Sequence, residues 1–114
     1  MQRDRASLLD IIEAARLAIS YVEGLTKEAF LQSTQLQDSV IRRIEIIGEA
    51  ARRISLDTRA ANPGIPWNEM IGIRNLMIHD YDGVDLEIVW QTIQQDLPSL
   101  IAQIESLTPP NEGA

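Results

Sequence analysis

Between Ile73 and Tyr81 the chain reads Ile73-Arg74-Asn75-Leu76-Met77-Ile78-His79-Asp80-Tyr81, placing an arginine, an amide, the only histidine and a tyrosine within a few residues. Each has a bland role open to it. Arg74 can pair with Glu45 or Glu49, Asn75 can cap, His79 can be a helix C-terminal cation, and Tyr81 can pack with a wet hydroxyl. Together they also suit one reaction that needs neither an activated serine nor a glycine-rich phosphate loop. In RNA the 2′-hydroxyl is a built-in nucleophile, so a protein need only move protons and stabilise charge at phosphorus. His79, with an ordinary pKa of about 6.5, exchanges protons near neutrality. Arg74 can hold phosphoryl oxygens with its planar fork.

Geometry limits this pairing. At 100° per residue, His79 lies about 40° from Asn75 but about 140° from Arg74 around a helix. The two converge if the helix ends between them, if the long arginine side chain wraps round, or if a second subunit brings its own pair across a two-fold axis.

The elements that must position these residues follow from apolar spacing. From about Asp4 to Glu23, Leu8, Ile12, Ala15, Ile19 and Val22 predict a first amphipathic helix, stopped near Gly24. Thr26 caps a short turn through Phe30 and Leu31. Thr34 stands three residues before Gln37, a capping-box spacing, and opens a long helix through Val40, Ile44, Ile47, Ala51 and Ile54 to about Leu56. Gly48 inside it implies close approach of a neighbouring helix. The stretch from Asp57 to Pro66 reads as a loop, with Pro66 opening a third helix near Trp67 that ends around Asp80 to Gly83. Asp85 caps a last helix with a stripe from Leu86 to Ile104, bent at Pro98. The expected fold is all-α, an up-and-down four-helix bundle with a short extra helix. It occupies residues 1–108 as a single domain, followed by a disordered tail, 109–114. Ile41 and Ile46 beside Ile44 and Ile47 suggest a second buried surface, and a homodimer is the simplest cover for it.

Composition excludes several classes. No cysteine is present, so neither a disulfide framework nor a thiolate metal site is expected, and a single histidine argues against zinc. We expect no cofactor. Apolar runs are too short to span a bilayer, and the N-terminal sequence lacks a secretory pattern, which predicts a cytoplasmic protein. The net charge of −7 opposes loose binding of nucleic acid over a broad basic face but permits a local site. Nine of the ten basic residues are arginine; most are expected in surface pairs such as Glu49 with Arg53 at i,i+4.

The spacing Arg74, four residues, His79, one residue, Tyr81 resembles the signature of HepT-like proteins in the HEPN superfamily. The resemblance extends to Val40-Ile41-Arg42-Arg43-Ile44-Glu45-Ile46-Ile47-Gly48-Glu49-Ala50-Ala51, to Pro66-Trp67 leading to Ile71-Gly72-Ile73-Arg74-Asn75, and to Val84-Asp85 followed by Val89-Trp90. It implies a HEPN-like, homodimeric, metal-independent endoribonuclease acting as the toxin of a bacterial toxin–antitoxin pair. The antitoxin would be a minimal nucleotidyltransferase of the MntA type. By the same resemblance Arg74 and His79 are the catalytic pair, Asn75 is auxiliary, and Tyr81 is the residue the partner modifies with AMP. Asp82 departs from the pattern, in which an aromatic or apolar residue follows the tyrosine, and its charge opposes RNA. The alternative is a noncatalytic substrate-binding or regulatory subunit of the nucleotidyltransferase.

Overall fold

The structure, a computed structural model, describes residues 2–73, 75 and 83–108. Its elements in chain order are α1 (Gln2–Val22), α2 (Lys27–Leu31), α3 (Thr34–Arg53), α4 (Leu56–Ala61), α5 (Trp67–Ile71), α6 (Leu86–Gln91), a π-helical turn (Thr92–Asp96) and α7 (Leu97–Glu105). The described fold is all-α, as expected. No helix among the described residues is long and apolar enough to cross a membrane.

The core is built on α1 against α3, which form the most extensive helix pair, with α7 against α1 and α5 against α3. On α1 the buried stripe is Leu8, Ile11, Ile12, Ala15, Ala18 and Val22; on α3 it is Val40, Ile44, Ile47, Ala50 and Ala51. The alanines on both faces let the two axes lie close. The pair is antiparallel, because the start of α1 bonds to residues at and beyond the end of α3. Asp4 accepts from the Ser55 amide at 3.0 Å, and the Arg53 guanidinium reaches Asp10 at 3.4 Å. Ile41 and Ile46 are half-buried, packed against this same core.

The caps follow local chemistry. Thr26 Oγ1 accepts from the Ala29 amide at 3.1 Å, and Asp85 Oδ1 accepts from Glu87 and Ile88 at 3.0 and 3.3 Å, both as predicted. Three expectations are corrected. Ser33, not Thr34, caps α3, its Oγ accepting from Leu36 at 3.2 Å. Gln37 cannot complete a capping box, because its side-chain amide donates instead to the carbonyls of Phe30 and Leu31 at 3.0 and 3.1 Å, tying α2 to α3. The predicted loop after α3 contains the helix α4, capped by Ser55, whose Oγ accepts from the Thr58 amide at 3.2 Å. Leu56 therefore begins α4 rather than ending α3, and it is 74% exposed. Third, Arg53 turns away from Glu49: the neighbouring α1 offers both Asp10 and the Ser7 hydroxyl, the latter at 3.4 Å.

The predicted bend near Pro98 takes a definite form. Proline lacks the N–H that would bond to the carbonyl four residues back, and its ring crowds that carbonyl. The chain answers one turn earlier by widening: the Leu97 amide donates to Thr92, five residues back. Thr92 Oγ1 also donates to the Ile88 carbonyl at 2.8 Å. The extra residue in this turn keeps Val89, Ile93, Leu97, Leu100 and Ile104 all buried on one side.

Candidate functional site

Arg74, His79 and Tyr81 lie outside the described residues, as do Asp82 and the 109–114 tail. Of the predicted site residues, Asn75 is described: it is exposed, and its backbone N–H donates to the Gly72 carbonyl at 2.9 Å. What the structure defines is the frame on either side of the motif.

On the N-terminal side the frame is α5. Its first turn is held by a chain of bonds through the preceding loop. Trp67 is buried, and its indole N–H donates to the Asn62 carbonyl at 3.0 Å, while the Asn62 side-chain amide donates to Thr58 in α4 at 2.9 Å. From α7, the Gln103 amide donates to the Gly64 carbonyl at 3.1 Å. Arg59 closes the other side of this connection: its guanidinium donates to the carbonyls of Ile54, Ala51 and Arg52 at 3.0, 3.3 and 2.8 Å, satisfying the open end of α3. Met70 is buried, and Ile71 and Ile73 pack against the core. Gly48 lets α5 come this close, since a Cβ there would stand 3.0 Å from the Met70 carbonyl oxygen. The chain thus enters the motif from a firmly anchored platform. On the C-terminal side Gly83 takes a left-handed φ of 89°, which suits the predicted turn, and Val84 leads into the Asp85 cap.

Alongside α5 runs a cleft of about 370 Å³ lined by Arg42, Glu45, Gly48, Glu49, Arg52, Ile71 and Ile73. Its charged wall is one face of α3. Arg42 Nη1 lies 3.8 Å from Glu45 and 3.4 Å from Glu49. Arg52 stands at the other end of the row, exposed. The signal for this cleft is present in the sequence as alternate steps of three and four from 42 to 52, which keep four charges within one arc of a helix.

A second, larger cavity of about 530 Å³ opens on the far side of Met70 and Ile73, between α5 and the π turn, and is lined chiefly by Ile88, Leu97 and Leu100 with Glu69 and Asp96. The segment carrying Ile73 therefore separates a charged cleft from an apolar one.

Comparison with known proteins supplies the class to which this helical frame belongs. Residues 11–107 match the family described as Ribonuclease HepT-like. A probable ribonuclease HepT of Thermococcus cleftensis is 41% identical over 108 residues, covering 94% of this chain and 98% of that protein. A protein of Methanocaldococcus jannaschii with an RNase designation is 38% identical over 101 residues, covering 89% of this chain and 93% of its own. Another from Caldanaerobacter subterraneus subsp. tengcongensis, also designated an RNase, is 33% identical over 107 residues, covering 94% and 96%. No solved structure matches the chain significantly. The chain belongs to the HepT-like ribonuclease family.

Proposed function

We propose that the protein is a metal-independent endoribonuclease, the toxin of a toxin–antitoxin pair, acting in the cytoplasm. The observation that carries this reading is the family match over residues 11–107, a range that includes Arg74, His79 and Tyr81. The 2′-oxygen attacks the adjacent phosphorus as it gives up its proton, the bond from phosphorus to the 5′-oxygen breaks, and a proton is delivered to that leaving oxygen. The products are a 2′,3′-cyclic phosphate and a 5′-hydroxyl end. Arg74 stabilises the charge gathered on the phosphoryl oxygens, and His79 serves the proton transfers. Asn75, exposed beside Arg74 in the chain, is assigned an auxiliary contact to substrate.

The unit is a homodimer in this reading, so that two Arg74 and His79 pairs face one RNA path. The partner that silences it is an MntA-type nucleotidyltransferase that transfers AMP from ATP to the Tyr81 hydroxyl, with pyrophosphate leaving and the phenolic proton lost. The modification adds bulk and a negative charge two residues from His79, which repels RNA phosphate.

The net charge of −7 favours a second reading, a noncatalytic regulatory subunit of the nucleotidyltransferase. Incubation of the purified protein with total RNA in EDTA, beside His79→Ala, separates the two. Cleavage by the parent alone, leaving cyclic phosphate ends, supports the nuclease. Intact RNA after incubation with the folded, unmodified parent supports the regulatory subunit.

A further inference from the structure

The cavity of about 530 Å³ beside α5 takes no part in the reaction above, and its shape and charge suit a protein partner. Its long wall is the rod formed by α6, the π turn and α7, from which Ile88, Thr92, Asp96, Ser99 and Gln103 line it at steps of three and four. At 1.5 Å per residue, Ile88 to Gln103 spans about 22 Å, or roughly four turns of helix. The short wall is α5, which offers Met70 and Ile73. A trough of that length between two helical ridges suits a docked helix better than a small molecule.

The floor is apolar: Met70, Leu97 and Leu100 are buried, and Ile73 and Ile88 are half-buried. At the edge stand two carboxylates, Glu69 from α5 and Asp96 from the π turn, one on each wall and both exposed. Among the described residues neither forms an ion pair, and no arginine or lysine lines the trough. This combination selects its occupant. RNA phosphate is repelled at the rim and meets no cation below it. A second copy docked through the same face about a two-fold axis would bring its own Glu69 and Asp96 against this pair, setting four carboxylates around one apolar contact. A helix that buries an apolar stripe and flanks it with lysine or arginine satisfies both the floor and the rim.

We propose that this trough binds a helix of a partner protein, apolar on the face it buries and basic along its flanks, with Glu69 and Asp96 receiving the flanking cations. The proposal goes beyond RNA cleavage and does not depend on it.

The test uses the full chain and two fluorescein-labelled synthetic helices about 15 residues long, a length of about 22 Å. Both carry one leucine stripe; the polar positions are all lysine in the first and all glutamate in the second. In anisotropy titrations the chain should bind the lysine peptide and not the glutamate peptide. Because a lysine peptide is attracted to any acidic protein, variants must locate the contact. Glu69→Gln with Asp96→Asn should weaken binding about fivefold, whereas Glu23→Gln with Glu28→Gln, which removes the same charge from exposed positions outside the trough, should change it by less than about twofold. Ser99→Trp, which fills the trough from an exposed position on its rim, should abolish binding. Melting temperatures equal to the parent's keep a folding defect from passing as lost binding. Equal weakening by the two charge-removing pairs would overturn the proposal, leaving only attraction to the net charge of −7. Binding of neither peptide would also overturn it, the result if another part of this chain fills the trough. If Ser99→Trp instead dissociates an oligomer of the parent in sedimentation, the occupant is a second copy and the proposal falls. A parent that cuts RNA but binds neither peptide keeps the nuclease and loses the trough; one that binds as expected and cuts nothing does the reverse.

Discussion

A Cβ added to Gly48 would lie 3.0 Å from the carbonyl oxygen of Met70 and 3.6 Å from that of Ile71, so α5 rests directly on the backbone of α3 at this point. The obstacle is backbone held by a buried methionine and a clamped tryptophan, and it has little room to yield. Two effects oppose each other in Gly48→Ala. Alanine favours the helix by about 1 kcal/mol, while overpacking a close contact costs about 1–3 kcal/mol. We expect the second to win, with a net loss of about 1 kcal/mol and a melting temperature lower by roughly 4–8 °C. RNA cleavage should fall further than stability, because α5 delivers the chain to Arg74. Thermal melts and cleavage rates on the same preparation check this, and a variant as stable and as active as the parent would show that α5 can shift freely.

Asp4 makes a contact of a different kind. It is 3% exposed, and its carboxylate accepts from Thr58 Oγ1 at 2.5 Å, Ser55 Oγ at 2.7 Å and the Ser55 amide at 3.0 Å, which ties the start of α1 to the cap of α4. The Thr58 hydroxyl is the largest cause holding its pKa below the ordinary carboxylate value; burial opposes this, and the Ser55 bonds reinforce it. A lowered folded-state pKa means that the carboxylate contributes stability in full above the unfolded value of about 3.9 and loses it as pH falls through the folded value. Asp4→Asn should therefore cost about 1–3 kcal/mol at pH 7. The gap between variant and parent should narrow below about pH 4. Denaturant titrations at pH 7 and pH 3 decide the point, and a gap of constant size would remove the ionised carboxylate from the account.

Phe30 is fully buried, and its ring sits 5.5 Å from that of Trp90 at an interplanar angle of 37°. This contact and the Lys27 to Glu87 ion pair at 2.5 Å both link α2 to the α6 helix. The ion pair joins exposed side chains and adds little, so the aromatic contact dominates. Phe30→Ala should destabilise by about 3–5 kcal/mol and shift Trp90 emission to the red as water reaches the indole. Phe30→Leu should retain much of the stability. Equal loss in both variants would point to the ring geometry rather than the filled volume.

How far the sequence displays this fold depends on what holds each element. Where burial of a repeating stripe dominates, as in α1 and α3, spacing alone locates the helix, and Thr26 and Asp85 cap where their side chains indicate. The short α4 hides because its stability is tertiary: Thr58 is its one buried residue, Asp4 reaches it from the start of α1, and Arg59 ties it back to the end of α3. No periodicity in six residues could reveal that. Arg53 escapes i,i+4 reasoning for the same reason, since Asp10 reaches it from another helix. The widened turn before Pro98 is visible only as a bend, because the register it sets depends on which residues the core accepts. For the site, the reactive types and the glycine that seats α5 are legible in the sequence, whereas the cleft that the Arg42 to Arg52 row walls emerges only once α5 lies beside it.

If His79 moves protons during cleavage, the dependence of rate on pH should contain a titration between about pH 5 and 8, the range in which an imidazole changes charge. His79→Ala should lose about 10²–10⁴-fold in rate and, in whatever cleavage remains, lose that titration. Arg74→Ala should be comparably slow while retaining it, because an arginine stays charged throughout. A His79→Ala variant that keeps the parent's pH profile would assign the proton transfers to another group.

Tyr81 separates control from catalysis. Its proposed role requires only the phenolic oxygen as acceptor of AMP, and the RNA reaction as written makes no use of that oxygen. Tyr81→Phe should therefore cleave RNA within about threefold of the parent, less than the change expected from one lost hydrogen bond to a charged group. It should also remain toxic when its nucleotidyltransferase partner and ATP are present, whereas the parent is silenced. Intact-mass spectrometry should show AMP adducts on the parent and none on Tyr81→Phe. Adducts at undiminished yield on the variant would move the acceptor to another residue. Loss of cleavage in Tyr81→Phe before any partner is added would instead make the hydroxyl part of the RNA site, and modification would then silence the enzyme by occupying a group it needs rather than by repelling phosphate.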